Sequence, residues 1–297
     1  MKTLSKNAII GYPAGIITGV TYGLNPLFAI PLMREGAATD SILLFRYSIA
    51  VVILGLIIWL SGKSFRISKK QAGILLALGL LYTCSSLCLF EAYKYIASGL
   101  ATTLVFLYPV LVAIIMVFFR VVPSWPVWLA IVMTFVGVIM MTHSSSPTDA
   151  VNPFGVALSI SSATVYAMFI VIINRSKTIH NISNTLLTFY VLLIGAVVFS
   201  VRLVSADTPI FQGLTGPNAW LLLVGLAVLP TIVSTASLAI ATRNIGATKA
   251  SVMGVFEPIT AILIGTIMFH EPLTLNIVLG IVVAVAAVVF MVYVTKR

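Results

Sequence analysis

The sequence predicts an all-α integral membrane protein with ten transmembrane helices in two inverted five-helix repeats. Three observations support this fold class: the composition, the distribution of Lys and Arg, and prolines that recur at equivalent places in the two halves. The composition identifies the solvent, because 60% of the 297 residues are hydrophobic and 8% are charged. A soluble domain carries roughly 25% charged residues, so a bilayer suits this chain better than water.

Ten apolar stretches form the predicted transmembrane helices, each close to the length of about 20 residues that crosses a bilayer. Turn-forming residues separate them, for example Ser61-Gly62-Lys63, Pro123-Ser124 and Gly216-Pro217. The connections are short and leave no room for a soluble domain. The predicted spans are 10–31, 41–60, 72–92, 97–119, 126–142, 153–174, 184–204, 219–242, 247–269 and 274–294.

The positions of Lys and Arg predict the orientation, since cytoplasmic loops carry an excess of these residues. With the N-terminus in the cytoplasm, three cations fall on the external side of the membrane and thirteen on the cytoplasmic side. The three external cations are Arg34, Lys94 and Arg202. We therefore predict a multi-pass protein of the bacterial inner membrane with both termini in the cytoplasm. The net charge of +10 forms no basic stripe, which argues against nucleic-acid binding. The thirteen cytoplasmic cations are Lys2, Lys6, Lys63, Arg66, Lys69, Lys70, Arg120, Arg175, Lys177, Arg243, Lys249, Lys296 and Arg297.

The two halves of the chain resemble each other, which predicts two repeats of residues 1–147 and 148–297. Each half has a proline within its fourth span, Pro109 or Pro258, and a second proline fourteen residues later. Because five is odd, the two copies enter the membrane from opposite sides, as in secondary transporters with a substrate site near the midplane. At shifts of 144 and 149 residues, the aligned pairs are Gly11 with Gly155, Thr18 with Ser162, Tyr22 with Tyr166, Phe45 with Phe189, Ala92 with Ala241, Ile96 with Ile245, Pro109 with Pro258 and Pro123 with Pro272.

Segments of both halves carry the motifs of a known family. In the second half they are Ile245-Gly246-Ala247-Thr248-Lys249-Ala250, Phe256-Glu257-Pro258-Ile259-Thr260-Ala261 and His270-Glu271-Pro272-Leu273-Thr274. In the first half they are residues 95–101, residues 107–110 and the arginine-aromatic sequence Phe45-Arg46-Tyr47. Across essentially the whole chain, these segments resemble the drug/metabolite transporter superfamily, in its ten-span EamA-type family. One departure is Val121-Val122-Pro123, where that family often repeats a Glu.

The resemblance implies a secondary active transporter of small metabolites, a proton-coupled exporter of amino acids or related compounds. Its partners would be a small-molecule substrate, membrane lipids and protons as the coupling ion. The substrate, the direction of transport, the coupling ion and the oligomeric state stay open. The alternative is an integral membrane enzyme that acts on a lipid-linked or membrane-delivered substrate. The sequence has neither H-E-x-x-H nor G-x-S-x-G, and it predicts no catalytic residue, cofactor or metal site.

Polar residues on the first and sixth helices are candidates for the lining of a central cavity. Thr18, Tyr22 and Asn25 share one face of the first helix, and Ser162 and Tyr166 are their counterparts on the sixth. In a bilayer such groups face protein or a water-filled cavity, so they either line the site or form interhelical hydrogen bonds. Four glycines at intervals of four residues predict close approach of a neighbouring helix: Gly11, Gly15, Gly19 and Gly23.

Arg46 and the two mid-span prolines are further candidates. Arg46 is a lone cation in the outer third of the second span, and it either snorkels to the interface or binds a carboxylate. Pro109 and Pro258 each remove a helical hydrogen bond, which predicts kinks. These are either plain kinks or, because they lie at equivalent depth in both halves, a gate or an exposed carbonyl near the cavity. Glu91 and Lys94 lie three residues apart and are expected to form an ion pair.

Glu257 is the only acidic residue near the middle of a predicted span. A carboxylate at that depth costs at least a few kcal/mol unless it is paired, hydrated or protonated. One interpretation is a protonated side chain that bonds to a neighbouring helix. The other is a residue that carries the coupled proton or binds a substrate ammonium group. Tyr108 holds the equivalent place in the first half, so the predicted site is asymmetric.

Overall fold

In the computed structural model, every regular element of the described residues, 6–96, 98–142, 152–206, 209–269 and 275–295, is a helix. Seven helical stretches in this part of the chain are long and apolar enough to cross a membrane. The all-α multi-pass membrane fold is therefore confirmed, whereas the count of ten spans stays a prediction. Shorter apolar helices lie at the predicted fourth, fifth and tenth spans, namely Tyr108–Phe118, Trp125–Gly137 and Val278–Met291.

The helix bounds agree with the predicted spans to within a few residues. A single 3-10 turn at Lys177–Ile179 and a π-helical turn at Val228–Val233 complete the described elements. The loop at 143–151, Pro272 and the terminal cations lie outside the described residues. The helices are α1 (Lys6–Tyr22), α2 (Asn25–Arg34), α3 (Thr39–Leu60), α4 (Lys69–Ala92), α5 (Ser98–Val105), α6 (Tyr108–Phe118), α7 (Trp125–Thr142), α8 (Pro153–Arg175), α9 (Asn184–Ser205), α10 (Pro217–Ala227), α11 (Ser234–Ile245), α12 (Ala247–Met253), α13 (Phe256–Phe269) and α14 (Leu275–Thr295).

Local capping explains where several helices begin. The Ser68 side chain accepts a hydrogen bond from the Gln71 amide, and the Gln71 side chain accepts one from the Ser68 amide. This capping box starts α4. The Asn152 side chain accepts from the Phe154 amide at 2.9 Å, and Pro153 fills the first helical position of α8, where a missing N–H costs nothing.

Four of the predicted spans are interrupted, and a proline lies at each interruption. The first span divides into α1 and α2 before Pro26, the fourth into α5 and α6 before Pro109, and the ninth into α12 and α13 before Pro258. In the eighth span, Pro230 lies within the π-helical turn between α10 and α11. Proline has no N–H and crowds the preceding turn. The first, fourth and ninth spans therefore each divide into two segments, whereas the eighth continues through its π-helical turn.

The pairs of helices that pack against each other are related by the repeat of the two halves. The first span packs along the eighth (α1 with α11), and the third packs along the sixth (α4 with α8). If the first span corresponds to the sixth and the third to the eighth, these two pairings are copies of one another. Two further large contacts, α3 with α9 and α7 with α14, join the second span to the seventh and the fifth to the tenth. Each of these pairs maps onto itself.

Individual contacts repeat at the shifts seen in the sequence. The Thr18 hydroxyl lies 3.4 Å from the carbonyl oxygen of Ser234, and the Ser162 hydroxyl donates to the carbonyl of Ser85 at 2.8 Å. Thr18 and Ser162 are 144 residues apart, and Ser85 and Ser234 are 149 residues apart. The two hydrogen bonds therefore occupy equivalent places in the two halves.

Glycines bring the first span against the end of α11 and against the ninth span, which confirms the predicted close packing. A Cβ atom added at Gly11 would lie 2.5 Å from Ile245 Cγ2. The equivalent pair in the other half shows the same approach, since a Cβ at Gly155 would lie 2.9 Å from Ile96 Cγ2. Added Cβ atoms at three further positions would meet the ninth span: Met253 Cβ at 2.7 Å from Gly15, Phe256 Cβ at 2.9 Å from Gly19 and the Glu257 carbonyl oxygen at 2.5 Å from Gly23.

Ion pairs between described residues lie at partly exposed ends of the helices. Lys94 Nζ lies 2.7 Å from Glu91 Oε1, as predicted. Arg202 Nε lies 3.2 Å from a carboxylate oxygen of Asp40 and links α9 to α3. Such exposed pairs contribute little to stability, so the apolar contacts between helices dominate the packing.

Candidate functional site

A cluster of tyrosines lies where the two halves meet. The rings of Tyr22 and Tyr166 stack, with centroids 5.9 Å apart and planes inclined by 15°. Tyr108 meets Tyr166 edge to face at 5.0 Å. All three side chains are buried. Tyr22 and Tyr166 are aligned residues of the first and sixth helices, so the stack lies between equivalent elements of the two halves.

Glu257 lies beside this cluster, in the first turn of α13. It lies near the middle of the ninth span, as predicted, but this span breaks between Met253 and Phe256, so Glu257 stands at the start of the second segment. The residue is 3% exposed, and its Oε1 atom has no hydrogen-bond partner among the described residues. Its backbone carbonyl oxygen lies against Gly23, the residue after Tyr22, and Gly254, three residues before it, lies against the Tyr108 hydroxyl.

Tyr108 and Glu257 occupy equivalent positions at the two helix breaks. Tyr108 is the first residue of α6 and directly precedes Pro109. Glu257 is the second residue of α13 and directly precedes Pro258. The Tyr108 hydroxyl lies against Gly254, where an added Cβ atom would overlap it. The two breaks therefore touch each other, and the site is asymmetric because a phenol stands where the other half has a carboxyl group.

Asn25 and Thr18 flank the cluster on the first span. Asn25 begins α2 and donates from Nδ2 to the Tyr22 carbonyl at 2.8 Å, while its buried Oδ1 atom has no partner among the described residues. Thr18 donates to the Ala14 carbonyl of its own helix at 2.8 Å. The Oδ1 atom of Asn25 is thus an acceptor near the site without a partner among the described residues. The Thr18 hydroxyl already forms a hydrogen bond within the protein.

Ser162 forms interhelical hydrogen bonds. Its hydroxyl lies 3.0 Å from the hydroxyl of Ser85, and each of the two hydroxyls is also close to the carbonyl oxygen of the other residue. This reciprocal arrangement fastens α4 to α8. The polar residues of the first and sixth helices were expected either to line the site or to form interhelical hydrogen bonds. Ser162 forms interhelical hydrogen bonds, whereas Tyr22 and Tyr166 lie in the central cluster.

Removing either hydroxyl of this pair should destabilise the protein by a modest amount. We expect Ser85→Ala and Ser162→Ala each to lower the free energy of unfolding by about 0.5–1.5 kcal/mol, the range of interhelical hydrogen bonds in membranes. The double variant should lose less than the sum, because the two changes remove one shared interaction. Chemical unfolding in mixed micelles measures all three values.

Ser200 provides a matched control for this cycle. Its hydroxyl bonds to the Ala196 carbonyl within its own helix, so Ser200→Ala should be additive with either change. Additivity between Ser85→Ala and Ser162→Ala would show that the two hydroxyls do not interact.

Arg46 is buried inside the protein, and this position excludes snorkelling to the interface. Its exposed fraction is 0%. Nε donates to the Thr231 hydroxyl, and Nη2 lies 3.4 Å from the Pro230 carbonyl oxygen. Both partners belong to the π-helical turn of the eighth span. The guanidinium carbon lies 5.4 Å from the Phe90 ring centroid and 5.6 Å from that of Tyr47.

Several residues near the site were not predicted from the sequence. Tyr47 and Tyr82 stack at 5.9 Å, the Tyr47 hydroxyl bonds to Ser86 at 2.6 Å, and the Thr235 hydroxyl donates to Tyr82 at 3.1 Å. These contacts join the second, third and eighth spans. Within the described residues, no group of three or more His, Cys, Asp or Glu could hold a metal ion.

The fold and the site define a multi-pass α-helical membrane protein of the transporter class, with buried polar groups at paired helix breaks. The model of the EamA-like transporter family matches residues 9–143 and 153–293. The chain belongs to this family, within the drug/metabolite transporter superfamily.

Individual relatives agree with this assignment. The chain is 26% identical over 192 residues to an uncharacterized transporter of Synechocystis sp., a match that covers 63% of this chain and 56% of that protein. It is 29% identical over 127 residues to an uncharacterized transporter of Archaeoglobus fulgidus, covering 43% of each. These matches span about half the length of the two relatives. One solved crystal structure has a TM-score of 0.76 over 97% of this chain and 98% of its own, and at 13% identity it shares the fold.

Proposed function

We propose that the protein is a secondary active transporter of small metabolites and that Glu257 carries the coupled proton. The observation behind this proposal is the Glu257 carboxyl group, buried at a helix break with Oε1 unpartnered among the described residues. Burial without a partner favours the protonated form. A change that brings water or a cation to the group favours the ionised form, so access to either side of the membrane would load or release a proton.

The helix breaks support a transport site at this position. A broken membrane helix leaves peptide groups at its ends, and transporters use such ends to bind substrates and ions near the midplane. Here the breaks of the fourth and ninth spans touch through Tyr108 and Gly254. The proposed repeats are residues 1–147 and 148–297, related by inversion, and the exchange of helix pairs between them is the packing that this relation would produce.

The tyrosine stack supports alternating access through the same site. Tyr22, Tyr108, Tyr166 and Glu257 are each less than 5% exposed, so the site is closed to both sides in this conformation. Opening to one side requires movement of the first span relative to the sixth, which would separate the stacked rings. Pro109 and Pro258, beside the two breaks, would act as the pivots of this movement.

The proposed cargo is an amino acid or a related compound, and the proposed direction is export across a bacterial inner membrane. A zwitterion suits a site that offers a carboxyl group and a guanidinium group. In this exchange the substrate ammonium group and a proton would occupy Glu257 in turn. The test is uptake and efflux of labelled amino acids, nucleosides and sugar phosphates in proteoliposomes, with and without a proton gradient. Transport that ignores the gradient would contradict proton coupling.

The orientation gives a separate prediction. In a chain with Cys84 and Cys88 replaced by serine, a cysteine at Ser145 should react with an impermeant thiol reagent added outside the cell. A cysteine at Lys69 should be protected until the membrane is opened, because the charge bias places that loop in the cytoplasm. The opposite labelling pattern would reverse the proposed topology.

A further inference from the structure

Arg46 carries a charge that no acidic side chain of the described residues balances. The side chain is fully buried, and no carboxylate of the described residues lies within ion-pair distance of it. A guanidinium group keeps its proton at any physiological pH. A buried charge without a partner is strongly destabilising, so a site of this kind needs an anion in part of its working cycle.

The free hydrogen-bond donors of Arg46 point to the kind of anion. A guanidinium group has five N–H donors, and here Nε and Nη2 bond to the π-helical turn. Nη1 is buried and has no partner among the described residues. The edge formed by Nη1 and the second N–H of Nη2 matches the two oxygens of a carboxylate. The Phe90 and Tyr47 rings lie against the guanidinium group, with centroids 5.4 Å and 5.6 Å from its carbon atom.

The surrounding backbone holds this edge in place. Thr231 accepts from Arg46 and donates to the Leu226 carbonyl at 2.8 Å, across the widened turn. π-Helical turns are frequent at functional sites. Ring contacts join the surroundings of Arg46 to the tyrosine cluster. Tyr47 stacks on Tyr82 at 5.9 Å, and Tyr82 meets Phe169 at 5.3 Å. Phe169 stacks on Tyr166 at 6.0 Å. The free edge of Arg46 is therefore connected by packed aromatic rings to the cluster beside Glu257.

We propose that Arg46 is the anion subsite of the transport site and binds the carboxylate group of the cargo across Nη1 and Nη2. The proposal rests on the transport function proposed above and specifies one chemical feature of its substrate. The π-helical turn of the eighth span positions the guanidinium group through Thr231 and Pro230. A cargo without a carboxylate would leave the Arg46 charge unbalanced and would bind poorly.

Binding of a minimal carboxylate to the purified protein in detergent tests the proposal. Sodium acetate and sodium formate should raise the Tm by about 2–4 °C above sodium chloride at equal ionic strength, at concentrations several times their Kd. The Arg46→Gln variant should lose this difference. Acetamide, which has the same shape without the charge, should have no effect on either protein. Equal Tm values in acetate and chloride for the wild-type protein would overturn the proposal.

Arg243 provides the matched control. It is a partly buried arginine whose guanidinium group bonds to the Ile182 and Ile179 carbonyls, so Arg243→Gln should keep the acetate effect. If Arg46→Gln does not fold, Arg46→Lys provides the test. The lysine ammonium group is a point charge and has no preference for a planar carboxylate over chloride. An acetate effect unchanged in Arg46→Lys would overturn the proposal. Binding in detergent needs no proton gradient, so a negative result here leaves proton coupling at Glu257 standing.

Discussion

Replacing Glu257 with glutamine should abolish proton-driven transport while the amount of folded protein stays normal. Glutamine keeps the shape of the side chain and removes its ability to release a proton. The wild-type residue is buried beside the Tyr22, Tyr108 and Tyr166 hydroxyls without an ion pair among the described residues. A neutral amide is therefore tolerated by the fold. Efflux from proteoliposomes with an imposed pH difference measures the loss.

The dependence of transport on pH separates this role from a structural one. In the wild-type protein, transport should change with pH as Glu257 alternates between its protonated and ionised forms. In Glu257→Gln, any remaining exchange of substrate across the membrane should be independent of pH, because the site can no longer exchange protons. Transport at the wild-type rate with an unchanged pH profile would make Glu257 a structural residue.

Glu91 is the control for this experiment. It is partly exposed and paired with Lys94 at the end of the third span. An exposed ion pair of this kind contributes about 0–1 kcal/mol to stability. Glu91→Gln should therefore leave both the folded protein and the proton-driven rate close to the wild type. A similar collapse in both variants would point to a general loss of charge and not to Glu257.

The sequence predicted the membrane-spanning segments well because their composition decides them. The second, sixth and seventh spans were predicted to within a few residues of α3, α8 and α9. Each is a continuous apolar stretch bounded by polar or turn-forming residues. Hydropathy alone carries this information, since only apolar helices of about 20 residues satisfy a bilayer.

Pro109 and Pro258 predicted kinks in two spans, but the form of each interruption was not predicted, because it depends on partners distant in sequence. In the sequence, Pro230 indicates only that one backbone N–H is missing from the helix. The π-helical turn around it also involves the Thr231 hydroxyl and the guanidinium group of Arg46, 185 residues away. A local pattern cannot specify a hydrogen bond to another helix. The same limit applies to Arg46, whose burial follows from the position of the eighth span.

The candidate site was partly accessible from sequence through the internal repeat. The alignment paired Tyr22 with Tyr166, and the structure stacks these rings. It also paired Thr18 with Ser162, whose hydrogen bonds to Ser234 and Ser85 repeat in the two halves. The stack of Tyr47 on Tyr82 has no such signal, because aromatic residues are common in membrane helices and most of them are packing residues.

Substituting alanine for Gly23 should have the largest effect of any small change in the first span. An added Cβ atom would lie 2.5 Å from the Glu257 carbonyl oxygen and 2.7 Å from Thr260 Cβ. The first of these neighbours is backbone, which cannot move aside as a flexible side chain would. We expect Gly23→Ala to lower the free energy of unfolding by about 1–3 kcal/mol, the usual cost of overpacking.

The same substitution should reduce transport by more than its effect on stability accounts for. Relief of the clash moves the first span away from α13, and this movement displaces Glu257 from Tyr22 and the other tyrosines. Unfolding in mixed micelles and proton-driven efflux, normalised to folded protein, measure the two effects. Gly73→Ala is the matched control: this helical glycine has nothing within 4 Å of an added Cβ atom. It should stabilise α4 by roughly 0.5–1 kcal/mol. If Gly23→Ala is as stable and active as Gly73→Ala, the first span does not approach the ninth closely enough to position Glu257.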